Sequence, residues 1–338
     1  MDKSFVSRVI VPWYDENGRK NLPWQVPNPY FVWISEIMLQ QTQVLKVVDY
    51  FNNFIESFPT LEKLSQANID HVLSHWSGLG YYNRARNIYK TAQLCMDKHQ
   101  GNLPQRLDEL MALPGIGRTT AGAILSLASN KSYPILDGNV KRVMSRLFMI
   151  SAEKPSQLMN KLWQKVEWLM PEEDARKYNQ SLMDLGSLVC KRSQPLCLQC
   201  PFSKTCKAYL AGKIDQFPQK AKRVKQVKLT MYALLMVEND SMFLQKRKEN
   251  GIWPQLWFLP LFDTEEQLLK QVELLNSTIV SQDSISHILT HRKLNIQVSM
   301  IVTKNKSLQE GTWQKISSLK SLPHPIALEK ITKFFNIY

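Results

Sequence analysis

The chain has 338 residues, 44% hydrophobic and 21% charged, so it can build two domains with separate cores and is neither disordered nor fibrous in composition. Its 43 Lys and Arg against 29 Asp and Glu leave a net charge of +14 and a pI near 9.5, a balance that suits a polyanion such as nucleic acid. No stretch is apolar for long enough to cross a bilayer, and the N-terminus MDKSFVSRVIVPWYDENGRK carries acids and aromatics in place of a signal-like core, so a cytoplasmic monomer without membrane contact is expected.

From Phe5 to about Ala211 apolar residues recur three and four apart between short Pro, Gly and Asn turns, which predicts about ten short helices and no strand. Between Lys20 and Lys46 the one charged side chain is Glu36, in PYFVWISEIMLQQTQV. A carboxylate on so apolar a helix is either a solvated residue at a domain edge or a desolvated one with a raised pKa, suited to general acid work.

The stretch from Leu110 to Val143 follows. Leu113-Pro114-Gly115-Ile116-Gly117 reads as a tight hairpin between helices, with both glycines at positive φ and backbone N–H groups open to a phosphate. Asp137, in LDGNVKR, precedes a basic helix and is either an N-cap or a reagent. With Glu36 it makes a pair of carboxylates. One kept protonated and one kept ionised would suit cleavage of an N-glycosidic bond, in which the sugar becomes cationic and the leaving base needs a proton.

Four of the five cysteines crowd into seventeen residues as Cys190, Cys197, Cys200 and Cys206, while Cys95 stands alone. Four thiols at that spacing indicate a metal site. Structural zinc usually shows two close pairs and here only Cys197 and Cys200 form one; an iron-sulfur cluster is equally permitted. Lys191, Arg192, Lys204 and Lys207 make the loop basic. Residues 213–228 then hold six Lys and Arg against one Asp and read as a linker. From Leu229 the runs LTMYALLMVEND, SMFLQKRKE and KLNIQVSMIVTK predict strands, with a helix at Glu265 to Leu275, hence a second, α+β domain.

Taken in order, Glu36 with QQTQV, GLGYYNRAR, LPGIGRTTAGAI, LDGNVKR and the 6-2-5 cysteine spacing resemble the helix-hairpin-helix superfamily of DNA glycosylases, and within it the MutY family of adenine DNA glycosylases, from about Trp13 to Cys206. The resemblance continues more weakly into a Nudix-like C-terminal domain, most clearly at GIWPQLWFLP. It implies a mainly helical glycosylase domain over 1–212 with the cysteine loop at 190–206, a linker over 213–228 and a smaller α+β domain over 229–338.

The resemblance also implies chemistry. Glu36 would protonate the flipped adenine at N7, Asp137 would stabilise the oxocarbenium ion, and Asn139 would hold water or the carboxylates. The four cysteines would carry one 4Fe-4S cluster, mainly structural. Gln41 and Tyr81 match wedge residues that fill the vacated stack, Trp24 an aromatic of the adenine pocket, and Gly115, Gly117, Lys141 and Arg142 contacts to the DNA backbone. Thr119 stands where relatives resembling endonuclease III carry a Schiff-base lysine, so base removal without strand cleavage is expected. Leu289-Thr290-His291 stand at the family's Phe-Ser-His loop, which senses 8-oxoguanine. The hydroxyl is kept and the ring is lost. Glu265 and Glu266 do not make a Nudix magnesium box. The expected partner is duplex DNA with adenine opposite 8-oxoguanine or guanine; the competing readings are an endonuclease III-like glycosylase and a non-catalytic DNA-binding module.

Overall fold

The computed structural model describes residues 2–219, 226–303 and 310–337. Residues 220–225, the middle of the basic linker stretch, lie outside them. By compactness the chain divides into two units, 1–66 with 87–222 and 67–86 with 223–338.

The helices run α1 (Phe5–Asn17), α2 (Pro29–Leu39), α3 (Val44–Ser57), α4 (Leu61–Gln66), α5 (Ile69–Ser74), α6 (Asn83–Lys98), α7 (Leu107–Met111), α8 (Arg118–Ala123), α9 (Gly138–Phe148), α10 (Pro155–Leu169), α11 (Ala175–Leu188) and α12 (Lys207–Leu210). Among the described residues before Val227 there is no strand, as the helical periodicity predicts. A five-residue π-helix at Ile124–Ala128 continues α8.

α2 is apolar nearly all round and buries Trp33, Ile34, Ile37 and Met38, as a helix must that is packed on several sides. Its start is set by Asn28, whose side chain accepts from the backbone N–H of Tyr30 and Phe31 at 2.9 and 3.3 Å, with Pro29 at the first helical position. α1, α9, α10 and α11 share one core, in which Ile10, Val140, Met144, Leu162 and Leu182 are almost fully buried.

The second unit carries a seven-stranded sheet of β1 (Val227–Glu238), β2 (Ser241–Lys246), β3 (Trp257–Phe258), β4 (Leu261–Phe262), β5 (Ile279–Ile288), β6 (Arg292–Val302) and β7 (Thr312–Lys315). Along its main path the order is β3-β2-β1-β6-β5, with β1 and β6 parallel and β5 and β6 antiparallel. α13 (Glu265–Leu274) lays Leu268 and Val272 against Leu234, Met236, Phe243 and Ile301 of the sheet, and α14 (Ile326–Phe334) closes the chain. The predicted strands and the helix at 265 are present. β5 was not anticipated: of its ten residues only Ile285 is buried, so the apolar alternation that marks a strand is missing.

Candidate active site

Glu36 sits on the last turn of α2 among buried apolar neighbours. Burial, and secondly the nearby Asp137 carboxylate, push its pKa up to about 8. The two carboxylates are therefore close enough to feel each other, although 100 residues separate them in the chain.

Asp137 caps α9. One carboxylate oxygen accepts from the Val140 backbone N–H at 2.7 Å, and the other accepts from Asn139 Nδ2 at 2.9 Å. N-cap and reagent are thus compatible roles for one side chain. Burial raises its pKa too, against the hydrogen bonds from Val140 and Asn139 and the charge of Arg142, which favour the ionised form. Both carboxylates are thus shifted upward by burial. Their difference lies in partners: Asp137 is held by donors that favour its charge, whereas Glu36 is raised by burial and by Asp137.

The segment leading to Asp137 is fixed by α11. Asn179, 1% exposed, accepts from the Ile135 N–H at 3.2 Å and donates to the Tyr133 carbonyl at 2.8 Å. Thr119 donates its hydroxyl to the Leu136 carbonyl at 3.2 Å, which places residue 119 beside the residue preceding Asp137.

Arg142 lies on α9, one turn after Gly138. Its guanidinium turns inward and donates to the Cys190 carbonyl at 2.6 Å, the Gly186 carbonyl at 2.6 Å, Asn139 Oδ1 at 2.8 Å and the Gly138 carbonyl at 3.3 Å. With four of its five N–H groups on protein acceptors it braces the Asp137 turn against the cysteine loop. One turn on, Arg146 is 2% exposed and donates to the carbonyls of Phe217 and Lys191 at 2.9 and 2.7 Å and to Cys190 Sγ at 3.4 Å. The sequence reading missed Asn179 and Arg146. Arg146 carried a signal, since it falls among Val140, Val143, Met144 and Leu147 on the buried face of α9.

The thiols of Cys190, Cys197, Cys200 and Cys206 are unbridged and line one pocket with Val189, Pro195, Ser203, Tyr209 and Ile214. Burial and mutual repulsion raise the pKa of Cys197, Cys200 and Cys206. Among the described residues, no three His, Cys, Asp or Glu side chains gather closely enough to chelate a single ion.

In the hairpin, Gly115 has φ +78° and an added Cβ would stand 2.8 Å from Asn87 Cβ, so glycine is required there twice over. Gly117 does not have the expected positive φ. At φ −91° and ψ 176° it is the extended N-cap of α8, because only one left-handed residue is needed to turn the chain. Gln41 and Tyr81 both do adopt positive φ, 60° and 52°, and both are exposed. For a glutamine and a tyrosine that backbone is costly and tends to occur where function requires it. Lys141 is partly exposed on the first turn of α9.

Trp24 is 6% exposed, packs edge-on to Phe51 at 5.3 Å, and lines a pocket of about 340 Å³ with Gln25, Val32, Ser35, Leu127 and Gln180. Arg19 donates from Nε and Nη2 to one oxygen, Oδ1, of the fully buried Asp184 of α11, at 3.0 and 2.5 Å, and its backbone N–H donates to Oδ2 at 2.7 Å. In the second unit, residues 289–291 form the turn between β5 and β6, with the Leu289 N–H donating to the Arg292 carbonyl at 2.8 Å and the His291 carbonyl accepting from the Val227 N–H at 3.1 Å. Thr290 lies at the tip, 3.1 Å from the Tyr81 hydroxyl.

Comparison with known proteins matches both parts of the chain to known families. Residues 34–167 match the HhH-GPD superfamily base excision DNA repair protein model, and residues 231–333 match the NUDIX domain model. The chain is 39% identical to the adenine DNA glycosylase of Buchnera aphidicola subsp. Acyrthosiphon pisum, over 99% of each chain. It is 31% identical to the adenine DNA glycosylase of Arabidopsis thaliana, over 96% of this chain and 63% of that one. Among solved structures, a thermostable thymine-DNA glycosylase superposes with a TM-score of 0.57 at 28% identity, covering 62% of this chain and 96% of that one. The chain belongs to the adenine DNA glycosylases, base excision repair enzymes with a helical HhH-GPD domain followed by a NUDIX domain.

Proposed function

We propose that the chain removes adenine mispaired with 8-oxoguanine or guanine from duplex DNA, without cutting the strand. The observation that carries this reading is the Glu36–Asp137 pair: an acid held up to about pH 8 beside a carboxylate gripped by donors. A glutamic acid still protonated at neutral pH can give its proton to adenine N7 and turn the base into a neutral leaving group. Asp137, ionised, then faces the sugar cation, with Asn139 fixing the plane of its carboxylate. The base is reached by extrusion, Gln41 and Tyr81 filling the gap and Trp24 lining the pocket side. Thr119 supplies no amine, so the product is an abasic site.

In this reading the four cysteines, whose thiols border one pocket, hold a 4Fe-4S cluster, which four thiolates can ligate. When bound, the cluster cross-links the loop and adds folding energy. Lys141, Gly115, Gly117 and the basic loop are the phosphate contacts in this reading, with Leu289, Thr290 and His291 facing the base opposite adenine. The domain limits that go with it are 1–212, 213–228 and 229–338.

The test is incubation with labelled duplexes carrying adenine opposite 8-oxoguanine, adenine opposite guanine, or thymine glycol, each developed with and without alkali. Cleavage of the adenine strands only after alkali is expected. Incision of thymine glycol, with adenine untouched, would favour an endonuclease III-like enzyme.

A further inference from the structure

Tyr81 has left-handed backbone, φ 52°, beside Gly78 and Gly80 at φ 90° and 72°; the glycines take that backbone freely, whereas a tyrosine keeps it only where its surroundings impose it. Locally, Arg84 donates to the carbonyls of Leu79 and Gly80 and lies over the rings of Trp76 and Tyr81, at 5.3 and 5.6 Å from their centroids.

The rest of the constraint comes from the sheet-bearing part of the same unit. Lys246, at the end of β2, reaches both carboxylate oxygens of Asp70 on α5 at 2.7 Å. The Tyr82 hydroxyl donates to the His324 carbonyl at 2.5 Å, and His324 is itself 3% exposed, its ring nitrogens 2.7 Å from the Leu322 carbonyl and 3.2 Å from Glu329. Arg86 donates to the Pro254 carbonyl. Pro254 lies in the GIWPQLWFLP stretch between Trp253 and Gln255, both at positive φ, and the turn is pinned by the N–H groups of Arg247 and Gln255 donating to the carbonyls of Leu256 and Arg247 at 2.8 and 3.1 Å. Thr290 is the fourth point, 3.1 Å from the Tyr81 hydroxyl. These four contacts from separate parts of the sheet domain bracket the wedge turn at residues 70, 81, 82 and 86.

We propose that Lys246, the His324 carbonyl and the 251–260 turn form a cradle that positions the Tyr81 wedge, so that wedge and β5–β6 turn move as one body. This rests on the reading of Tyr81 as the residue inserted into the duplex. Lys246, Asp70, Tyr82 and Arg86 are positioning residues. The Lys246–Asp70 pair is partly exposed and contributes little to folding, so it can be altered without unfolding the chain.

The test uses full-length protein at saturating concentration and a duplex with adenine opposite 8-oxoguanine and 2-aminopurine beside the 8-oxoguanine, whose fluorescence rises on unstacking. Tyr81→Ala comes first: an unchanged fluorescence rise in that variant removes the wedge reading itself. With Tyr81 intact, Lys246→Glu and Tyr82→Phe are each expected to lower the inserted fraction by about two- to fivefold. The exchanged pair Asp70→Lys with Lys246→Glu is expected to recover it, which a loss of folded protein would not. If Tyr81→Ala abolishes unstacking while Lys246→Glu and Tyr82→Phe leave it at the wild-type level, the cradle is overturned and the wedge stands.

Discussion

Gly186 lies so close to Asn139 that a side chain at position 186 would put its first carbon 2.6 Å from Asn139 Cβ and 3.0 Å from its Cα. The Gly186 carbonyl also accepts from Arg142 at 2.6 Å. α11 thus presses against the turn that holds Asp137. Gly186→Ala must move Asn139, which donates to Asp137. Overpacking there costs about 1–3 kcal/mol, a fall of several degrees in Tm. A displacement of the carboxylate approaching 1 Å costs ~100-fold in rate. Calorimetry and single-turnover excision on the same protein measure the two separately, and a rate loss far exceeding the stability loss is expected.

Arg146 clamps the cysteine loop through the carbonyls of Phe217 and Lys191 and through Cys190 Sγ. Arg146→Met leaves buried carbonyls without donors, at about 1–3 kcal/mol each. The variant is expected to purify with less iron per chain than the wild type and to lose its visible absorption sooner on standing with a chelator. Equal iron content and equal bleaching rates would show that the loop holds itself.

Thr119 donates to the Leu136 carbonyl, one residue before Asp137, so a longer side chain at 119 starts beside the carboxylate proposed to face the sugar. Thr119→Lys is expected to yield a covalent enzyme–DNA adduct on borohydride reduction, through an imine between Nζ and the opened sugar. The wild type serves as control, and the readout is a shifted band on a denaturing gel.

Thr290 stands at the tip of the β5–β6 turn with Leu289 before it. Thr290→Ala removes the hydroxyl, worth about 0.5–1.5 kcal/mol if it bonds the opposing base. The ratio of excision rates for 8-oxoguanine over guanine opposite adenine is expected to fall by about two- to tenfold. Leu289→Phe adds a stacking ring and is expected to raise the ratio.

Much of this arrangement was legible before the fold was known, for identifiable physical reasons. Glu36 stood out because charge is absent on either side of it, and Gly115 because a turn between helices needs a left-handed residue. Gln41 and Tyr81 have the same backbone without a glycine, and nothing in their side chains announces it. The inward bonds of Arg142 could not be read from the sequence, because the carbonyls of Gly186 and Cys190 that accept them lie more than forty residues away. Asn179 was hidden for the same reason: its partners at Tyr133 and Ile135 are brought to it only by the packing of α11. β5 escaped because a strand with one buried side chain shows no alternation.

Glu36 is also a stability element, and the direction of its effect is set by its raised pKa. Between about pH 4.5 and 8 the unfolded chain gives up a proton that the folded chain keeps, so the wild type loses stability as pH rises through this interval. Glu36→Gln carries no such charge and is expected to melt higher than the wild type at pH 9, with a smaller difference at pH 5.

The same substitution tests the catalytic claim most directly. Single-turnover excision of adenine opposite 8-oxoguanine, followed from pH 5.5 to 9.5, is expected to fall as Glu36 ionises near pH 8 in the wild type and to drop by about 10²–10⁴-fold throughout in Glu36→Gln. A Glu36→Gln enzyme that excises adenine at the wild-type rate, with the alkaline fall still present, would contradict it.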